Sequence, residues 1–314
     1  MHILDPGPLA TVQDLGRRGH RDLGVPLSGA MDPLALQVAN GLVGNGRGAA
    51  AIEVTWGGLN AALTAGVVFA VTGADIEVMI NGEAVPMWTT CRASRGDILT
   101  FGSASRGLRS YLAIAGGVEV PLVMGSRSTY IRGGFGGLCG RPLAGGDVIE
   151  VGPAPHPPAP FRRAPHDLIP PYADQSPLRV VLGPQEDLIT PEGVATFLSE
   201  PYRVTDRCDR MGMILSGPRI SHRHGPDIVS DGTIPGVVQI PGNGWPAILG
   251  ADCQTTGGYV KIATVIGADL PLAAQLVPGA CVRFKALSLL EAREIYLRRE
   301  LQLRRFCEST VHTA

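Results

Sequence analysis

The sequence predicts an all-β protein with two domains, and three observations carry that expectation. Glycine (42) and proline (26) together fill more than a fifth of the 314 residues, a turn-rich composition that stops short of low complexity. Charged residues make up only 18%, and apolar repeats of helical period and length are scarce. Short runs rich in Val, Ile and Phe alternate instead with Gly, Asn and Asp, the pattern of strands joined by tight turns. At about 100–200 residues per domain, the length suggests two domains.

Taken in order, residues 5–32 are dense in turn formers (Asp5-Pro6-Gly7-Pro8, Gln13-Asp14-Leu15-Gly16, Pro26-Leu27-Ser28-Gly29). Asp32 before Pro33 is a good N-cap with proline at the first helical position. Leu34, Val38 and Leu42, with Ala35 and Ala39, then give one apolar helical face ending near Gly44. Strands are expected at 51–55, 66–71, 76–80, 98–101, 110–115 and 147–151, with Asn81-Gly82 as a hairpin turn. A first β domain therefore covers residues 1–152. Residues 153–177 carry prolines 153, 155, 157, 158, 160, 165, 170 and 171, too many for a sheet interior, and read as a semi-rigid linker. A second β domain covers 178–287, from the strand Arg179-Val180-Val181-Leu182 to Cys281-Val282-Arg283-Phe284, with a short helix at 193–198. Residues 288–314 form a C-terminal helix and tail: Leu289, Ala292, Tyr296 and Leu303 share a face, and Glu294–Arg298 is an i,i+4 pair.

The halves echo one another. Val12-Gln13-Asp14 leads to Leu27-Ser28-Gly29, as Val204-Thr205-Asp206 leads through Asp209-Arg210-Met211-Gly212 to Leu215-Ser216-Gly217. Ile114-Ala115-Gly116 precedes Gly125-Ser126-Arg127-Ser128-Thr129, as Ile240-Pro241-Gly242 precedes Gly250-Ala251-Asp252-Cys253-Gln254-Thr255. The echo predicts a duplicated β domain with a polar loop after the same strand in each copy.

A net charge of −1 offers no field for nucleic acid or anionic membrane. The longest apolar stretch, 61–71, is interrupted by Thr64 and Gly66 and is too short to span a bilayer. The amino terminus resembles no signal peptide. The six cysteines follow no metal spacing and read as reduced thiols of a cytoplasmic protein. There is no phosphate loop. Gly44-Asn45-Gly46-Arg47-Gly48-Ala49 follows a helix and precedes a strand, the reverse of a dinucleotide fingerprint. His222-Arg223-His224 lacks a third ligand and is read as ordinary strand, so no metal site is expected. Neither lysine, 261 or 285, stands in a biotin-acceptor context, so no biotin is attached to this chain.

What remains is a neutral hydrogen-bonding set held between strand-like runs. Asp252, Gln254, Thr255, Thr256 and Gln239 offer donors and acceptors to an amide-like substrate. Gly257 and Gly258, before Tyr259, let a ligand approach the backbone. Asp209-Arg210 and Arg127-Ser128 can grip a carboxylate or phosphate. The same residue types also cap strands through side-chain turns, with Asp209 and Arg210 as a structural ion pair. Residue types alone leave both readings open.

Several blocks resemble one family: Gly7-Pro8-Leu9 with Thr11-Val12-Gln13-Asp14-Leu15-Gly16-Arg17, Ser28-Gly29-Ala30-Met31-Asp32, Gly125-Ser126-Arg127-Ser128-Thr129, Asp209-Arg210-Met211-Gly212, and Asp252 with Gln254-Thr255-Thr256-Gly257-Gly258-Tyr259. The chain is similar, over residues 3–286, to the biotin-dependent carboxyltransferase family. That family is also called allophanate hydrolase subunit 2 or the Kip-type antagonist (KipA-like) family, and many members are assigned as the C subunit of ATP-dependent 5-oxoprolinase. The resemblance implies two cyclophilin-like β-barrel domains. It also implies a heteromer with two further subunits, one Kip-inhibitor-like (KipI-like) and one LamB/YcsF-like, which together open 5-oxoproline to L-glutamate. ATP would bind at a site shared with a partner. On this reading Asp252, Asp209 and Arg210 are candidate catalytic residues, and Gln239, Gln254, Thr255, Thr256, Gly257, Gly258, Tyr259, Arg127 and Ser128 bind substrate. The alternatives are a urea-type carboxyltransferase component and a non-catalytic antagonist of a kinase inhibitor. Cys208 and Cys253 depart from the family pattern and are read as small-residue replacements.

Overall fold

The computed structural model describes residues 1–153, 162–172 and 177–308. The protein is mostly β, with four α-helices among the described residues, the last of them C-terminal. It forms two compact units. The first comprises Met1–Arg17, Ser28–Tyr172 and Glu300–Ala314; the second comprises Arg18–Leu27 and Ala173–Arg299. Of the segment expected as a linker, residues 154–161 and 173–176 lie outside the described residues. Within it, Thr90 N donates to Arg162 O at 2.7 Å and Ala164 N to Trp88 O at 2.8 Å, and Ala164 and Leu168 are buried in the first unit's core.

In the first unit, helix Pro33–Leu42 forms as expected: Asp32 Oδ1 accepts from Ala35 N at 2.9 Å, and Pro33 opens the helix. Its apolar face packs on Ala70, Tyr111 and Ala113. Val12, Ile52, Val54, Phe69 and Leu112 belong to a second cluster, as the alternation of side chains along a strand requires. The sheet is built around two long antiparallel strands, Val67–Ile80 and Ile98–Ile114. Each was expected as two short strands. Register shifts between Gly73 and Val78 absorb the irregular middle without ending the pairing. Gly73 makes this possible, since its φ is +93° and a Cβ there would stand 2.3 Å from Arg109 O. Asn81 and Gly82 both take positive φ (52° and 86°), the two-residue hairpin geometry expected of them. The strand Leu9–Gln13 was hidden among turn formers, yet it pairs in unbroken register with Ala51–Thr55. The strand expected at 147–151 shortens to Glu150–Val151, paired with Val118–Glu119. The sheet stays open, a half-barrel.

The second unit closes further. Its sheet has nine strands, eight of them on a path that begins at Cys281–Val282, paired with Tyr202–Cys208, and ends at Phe284–Ala286, paired with Leu178–Leu182. Those two ends are consecutive stretches of chain separated by Arg283 alone, so the path returns on itself as a nearly closed barrel. Val180, Leu215, Val238, Ile262 and Val265 belong to its core, with Phe197 stacked on Phe284 at 4.3 Å. Helix Pro191–Ser199 is capped by Thr190, whose Oγ1 accepts from Gly193 N at 3.0 Å.

The C-terminal helix runs Leu289–Glu308. Ser288 and Glu291 cap its start reciprocally, with Ser288 N on Glu291 Oε2 at 2.8 Å and Glu291 N on Ser288 Oγ at 3.3 Å. The expected apolar face is half right. Ala292 and Leu303 are buried, but Leu289 is 71% and Tyr296 49% exposed. The inward stripe runs through Ile295 instead of Tyr296: Ala292 and Ile295 pack within the second unit, and Leu303 and Phe306 within the first. No helix among the described residues is long and apolar enough to cross a membrane.

Candidate functional site

The loop from Gly250 to Thr255 leaves the strand Ala247–Leu249 and enters the strand Thr256–Val265. It is fastened to the Asp209–Gly212 turn. Asp209 Oδ1 accepts from Met211 N at 2.7 Å and from Gly212 N at 3.2 Å, shaping that turn. Gly250 N donates to Met211 O at 2.8 Å and Asp252 N to Arg210 O at 2.9 Å. The side chains then lock: Arg210 Nε meets Asp252 Oδ2 at 2.9 Å and Nη2 meets Oδ1 at 3.1 Å, both side chains being only 5% exposed. This planar two-pronged pair is why arginine, rather than lysine, suits the position. On its other flank the loop is held by Thr233, which is buried; its N donates to Thr255 O at 3.0 Å and its Oγ1 to Gln254 O. Arg21 Nη2 adds hydrogen bonds to Thr233 O and Thr255 O.

This fastening leaves a cradle around Gly257. A Cβ placed on Gly257 would sit 2.6 Å from Gln239 Nε2, 3.0 Å from Thr233 Cγ2 and 3.5 Å from Gln254 Nε2. Gln239 is 3% exposed, and its Nε2 has no hydrogen-bond partner within the protein. A buried amide donor without a partner costs about 1–3 kcal/mol, so the position calls for an acceptor supplied from outside. Lys261, paired in register with Gln239, donates from Nζ to Asp231 Oδ2 at 2.6 Å and to Gly232 O at 3.1 Å. Asp231 is in turn the register partner of Gly257. Hydrogen bonds from Lys261 and then from Gly232 N hold the Asp231 carboxyl below the usual carboxylate range, so it faces solvent as an anion. Carboxamides, an ammonium and a carboxylate around bare backbone can recognise a small polar ligand with both N–H and C=O groups.

The expected residues therefore sort into three groups. Gln239, Gln254 and Gly257 line the cradle. Asp252, Arg210 and Asp209 build the loop's support. Thr256 and Tyr259 are exposed on the strand's outer stretch, Thr255 serves through its carbonyl, and a Cβ added at Gly258 would meet only ordinary contacts, 3.6 Å to Ile228 O at nearest. Arg127 and Ser128 belong to the first unit and have partners there: Arg127 Nη2 meets Glu119 Oε2 at 2.6 Å, and Ser128 Oγ donates to Asp14 Oδ1. Lys261, Asp231, Thr233 and Arg21 escaped the sequence reading. A hint lay in Lys261, one of two lysines in the chain and set inside an apolar run. Among the described residues no group of three His, Cys, Asp or Glu could hold a metal ion, and His222 Nε2 lies 2.9 Å from Ile240 O.

Cys253 is fully buried, and burial pushes its thiol up to about 11. It is thus a neutral, unreactive group at physiological pH. In the native protein at about pH 7.5, below the ordinary thiol range, a thiol reagent is expected to label exposed Cys139 and Cys281 promptly and Cys253 only on unfolding. Mass mapping of the labelled cysteines checks this, and rapid native labelling of Cys253 would contradict it.

Relatives carry the same architecture. Residues 23–286 match the family model described as carboxyltransferase domain, subdomain A and B. The chain is 38% identical over 294 residues to a protein named as the C subunit of 5-oxoprolinase from Escherichia coli, covering 93% of each chain. It is 35% identical over 311 residues to the protein of that name from Haemophilus influenzae, covering 96% of each. The crystal structure of the K. lactis urea amidolyase superposes with a TM-score of 0.92 at 31% identity, covering 97% of this chain and 20% of that one. A match that spans both units, at this identity and with this structural agreement, places the whole chain in one lineage: it belongs to the carboxyltransferase-domain family of subdomains A and B.

Proposed function

We propose that the chain is the C subunit of an ATP-dependent 5-oxoprolinase and supplies the site that holds the lactam. The observation that carries this reading is the cradle at Gly257, where Gln239 Nε2 is buried without a partner and Gln254 Nε2 lies close by. A five-membered lactam is a cis amide with its C=O and N–H side by side. Gln239 Nε2 donates to the carbonyl oxygen and draws electron density from the carbonyl carbon, while the Asp231 carboxylate accepts from the ring N–H. Asp252 and Arg210 keep the loop in place without touching the substrate. Support for the lactam over a urea-type substrate comes from the relatives: those named as 5-oxoprolinase C subunits match along nearly their whole length, whereas the urea amidolyase matches over a fifth of its own. The sequence lacks a phosphate loop, so ATP is assigned to a site completed by the KipI-like and LamB/YcsF-like subunits.

The test is reconstitution with those two subunits, following 5-oxoproline-dependent ATP hydrolysis and glutamate release. Gly257→Ala is the informative variant. Gly257 lies in a strand outside the left-handed region, so alanine suits its backbone, but the added methyl would occupy the cradle. A loss of kcat/KM of about a hundredfold with unchanged thermal unfolding is expected. Full activity in this variant would remove the cradle from the mechanism. Turnover of urea with a biotinylated partner, and none of 5-oxoproline, would favour the carboxyltransferase alternative.

A further inference from the structure

The most unusual side chain of the site takes no part in holding the lactam amide. Lys261 is 1% exposed, and lysine is almost never buried to that degree unless paired. Its counterion is shallow, since the Asp231 side chain is 57% exposed. An ammonium carries three donors; Asp231 Oδ2 and Gly232 O take two of them. Lys261 stands opposite Gln239 in the sheet, and directly opposed residues of antiparallel strands share a face. Gly257 lies four residues before Lys261 on the same strand and therefore on that face as well. Both long side chains run back along the strand to one place. Gln239 Nε2 reaches Gly257 itself, and Lys261 Nζ reaches the carboxylate of the residue paired with Gly257.

We infer that Lys261 Nζ is the anion-recognising group of the Gly257 cradle, and that it selects lactams bearing a carboxylate over neutral amides. The inference rests on the lactam reading of this site. The lactam oxygen takes Gln239 Nε2, and the ring carboxylate takes the third hydrogen of Nζ. Asp231 keeps the empty site neutral, and its exposure lets water screen its charge from the incoming anion. The ammonium itself sits on the dry side, where a charge-assisted hydrogen bond is strongest. Urea has no group for it.

The experiment is equilibrium binding to the full chain, alone and in complex with the KipI-like and LamB/YcsF-like subunits. The ligands are 5-oxoproline and 2-pyrrolidinone, the same lactam without its carboxylate. One hydrogen bond to a charged group corresponds to a preference of about ten- to a hundredfold for 5-oxoproline. Lys261→Met is expected to abolish that preference while 2-pyrrolidinone still binds. Equal binding of the two lactams by the unsubstituted protein overturns the inference and leaves the lactam reading standing, as does a preference that survives in Lys261→Met. Binding of neither lactam in the complex overturns both. If Lys261→Met does not fold, the comparison of the two lactams on the unsubstituted protein decides the matter by itself.

Discussion

Asp252→Ala is expected to destabilise the second unit by about 3–5 kcal/mol, because it removes the carboxylate that two nitrogens of a buried guanidinium grip. Arg210 and Asp252 are 5% exposed as side chains and joined by two hydrogen bonds, so neither can turn to water without opening the loop. The carboxylate is committed to Arg210 through both of its oxygens. With both oxygens taken, the expected work of Asp252 is to hold the loop. Chemical denaturation followed by tryptophan fluorescence measures the loss, Trp245 lying in this unit. The double variant Arg210→Met/Asp252→Leu separates charge from shape. Replacing a buried pair by apolar side chains of similar volume is often neutral or stabilising, so the double variant is expected to recover most of the stability that the single one loses. If Asp252→Ala unfolds at the unsubstituted denaturant midpoint while activity vanishes, Asp252 is a reacting group and the supporting role is wrong.

Part of the candidate site's geometry was legible in the sequence, and the part that was not has a physical cause. Gln239, Gln254 and Gly257, which the structure brings together, stood out because a polar, glycine-bearing loop lies between two apolar runs. The helix at Pro33–Leu42 was found because its cap and its apolar period agree. Lys261 and Asp231 were missed because their importance lies in register: nothing in the linear sequence puts residue 231 opposite 257, or 239 opposite 261. The long strand pair Val67–Ile80 and Ile98–Ile114 was split for a similar reason. The gaps left between 66–71 and 76–80, and between 98–101 and 110–115, are bridged because the pairing continues past Gly73 and Gly102. On the C-terminal helix, Tyr296 and Ile295 differ by one position in a 3.6-residue period, and only the packing of each unit chooses between them.

The echo between the halves leads to the second large effect, in the first unit. There the polar loop is fastened to a turn as in the second unit, but a carboxylate takes the place of the arginine. Asp14 is buried, and it collects Ser126 Oγ and Gly16 N at 2.7 Å each, Arg127 N at 2.6 Å and Ser128 Oγ, while its own N–H donates to Ser128 Oγ at 3.0 Å. Asp14→Ala leaves four donors around an empty position and is expected to cost about 3–5 kcal/mol, the sum of several unsatisfied groups after partial relaxation. Asp14→Asn is expected to cost less, about 1–3 kcal/mol, because of which donors can turn away. If the amide oxygen faces Arg127 N, its NH2 meets the two serine hydroxyls, which can rotate to accept. Only Gly16 N is then left facing a donor. Ser126→Ala and Ser128→Ala each remove one donor to the carboxylate and the acceptor of one backbone N–H, Ser128 N and Asp14 N respectively, so each should fall below Asp14→Ala, beside Asp14→Asn. Urea unfolding of the four variants is expected to rank Asp14→Ala as the most destabilised, with the other three below it. An alanine variant no less stable than the asparagine one would mean that the loop relaxes freely, and that Asp14 does not hold it.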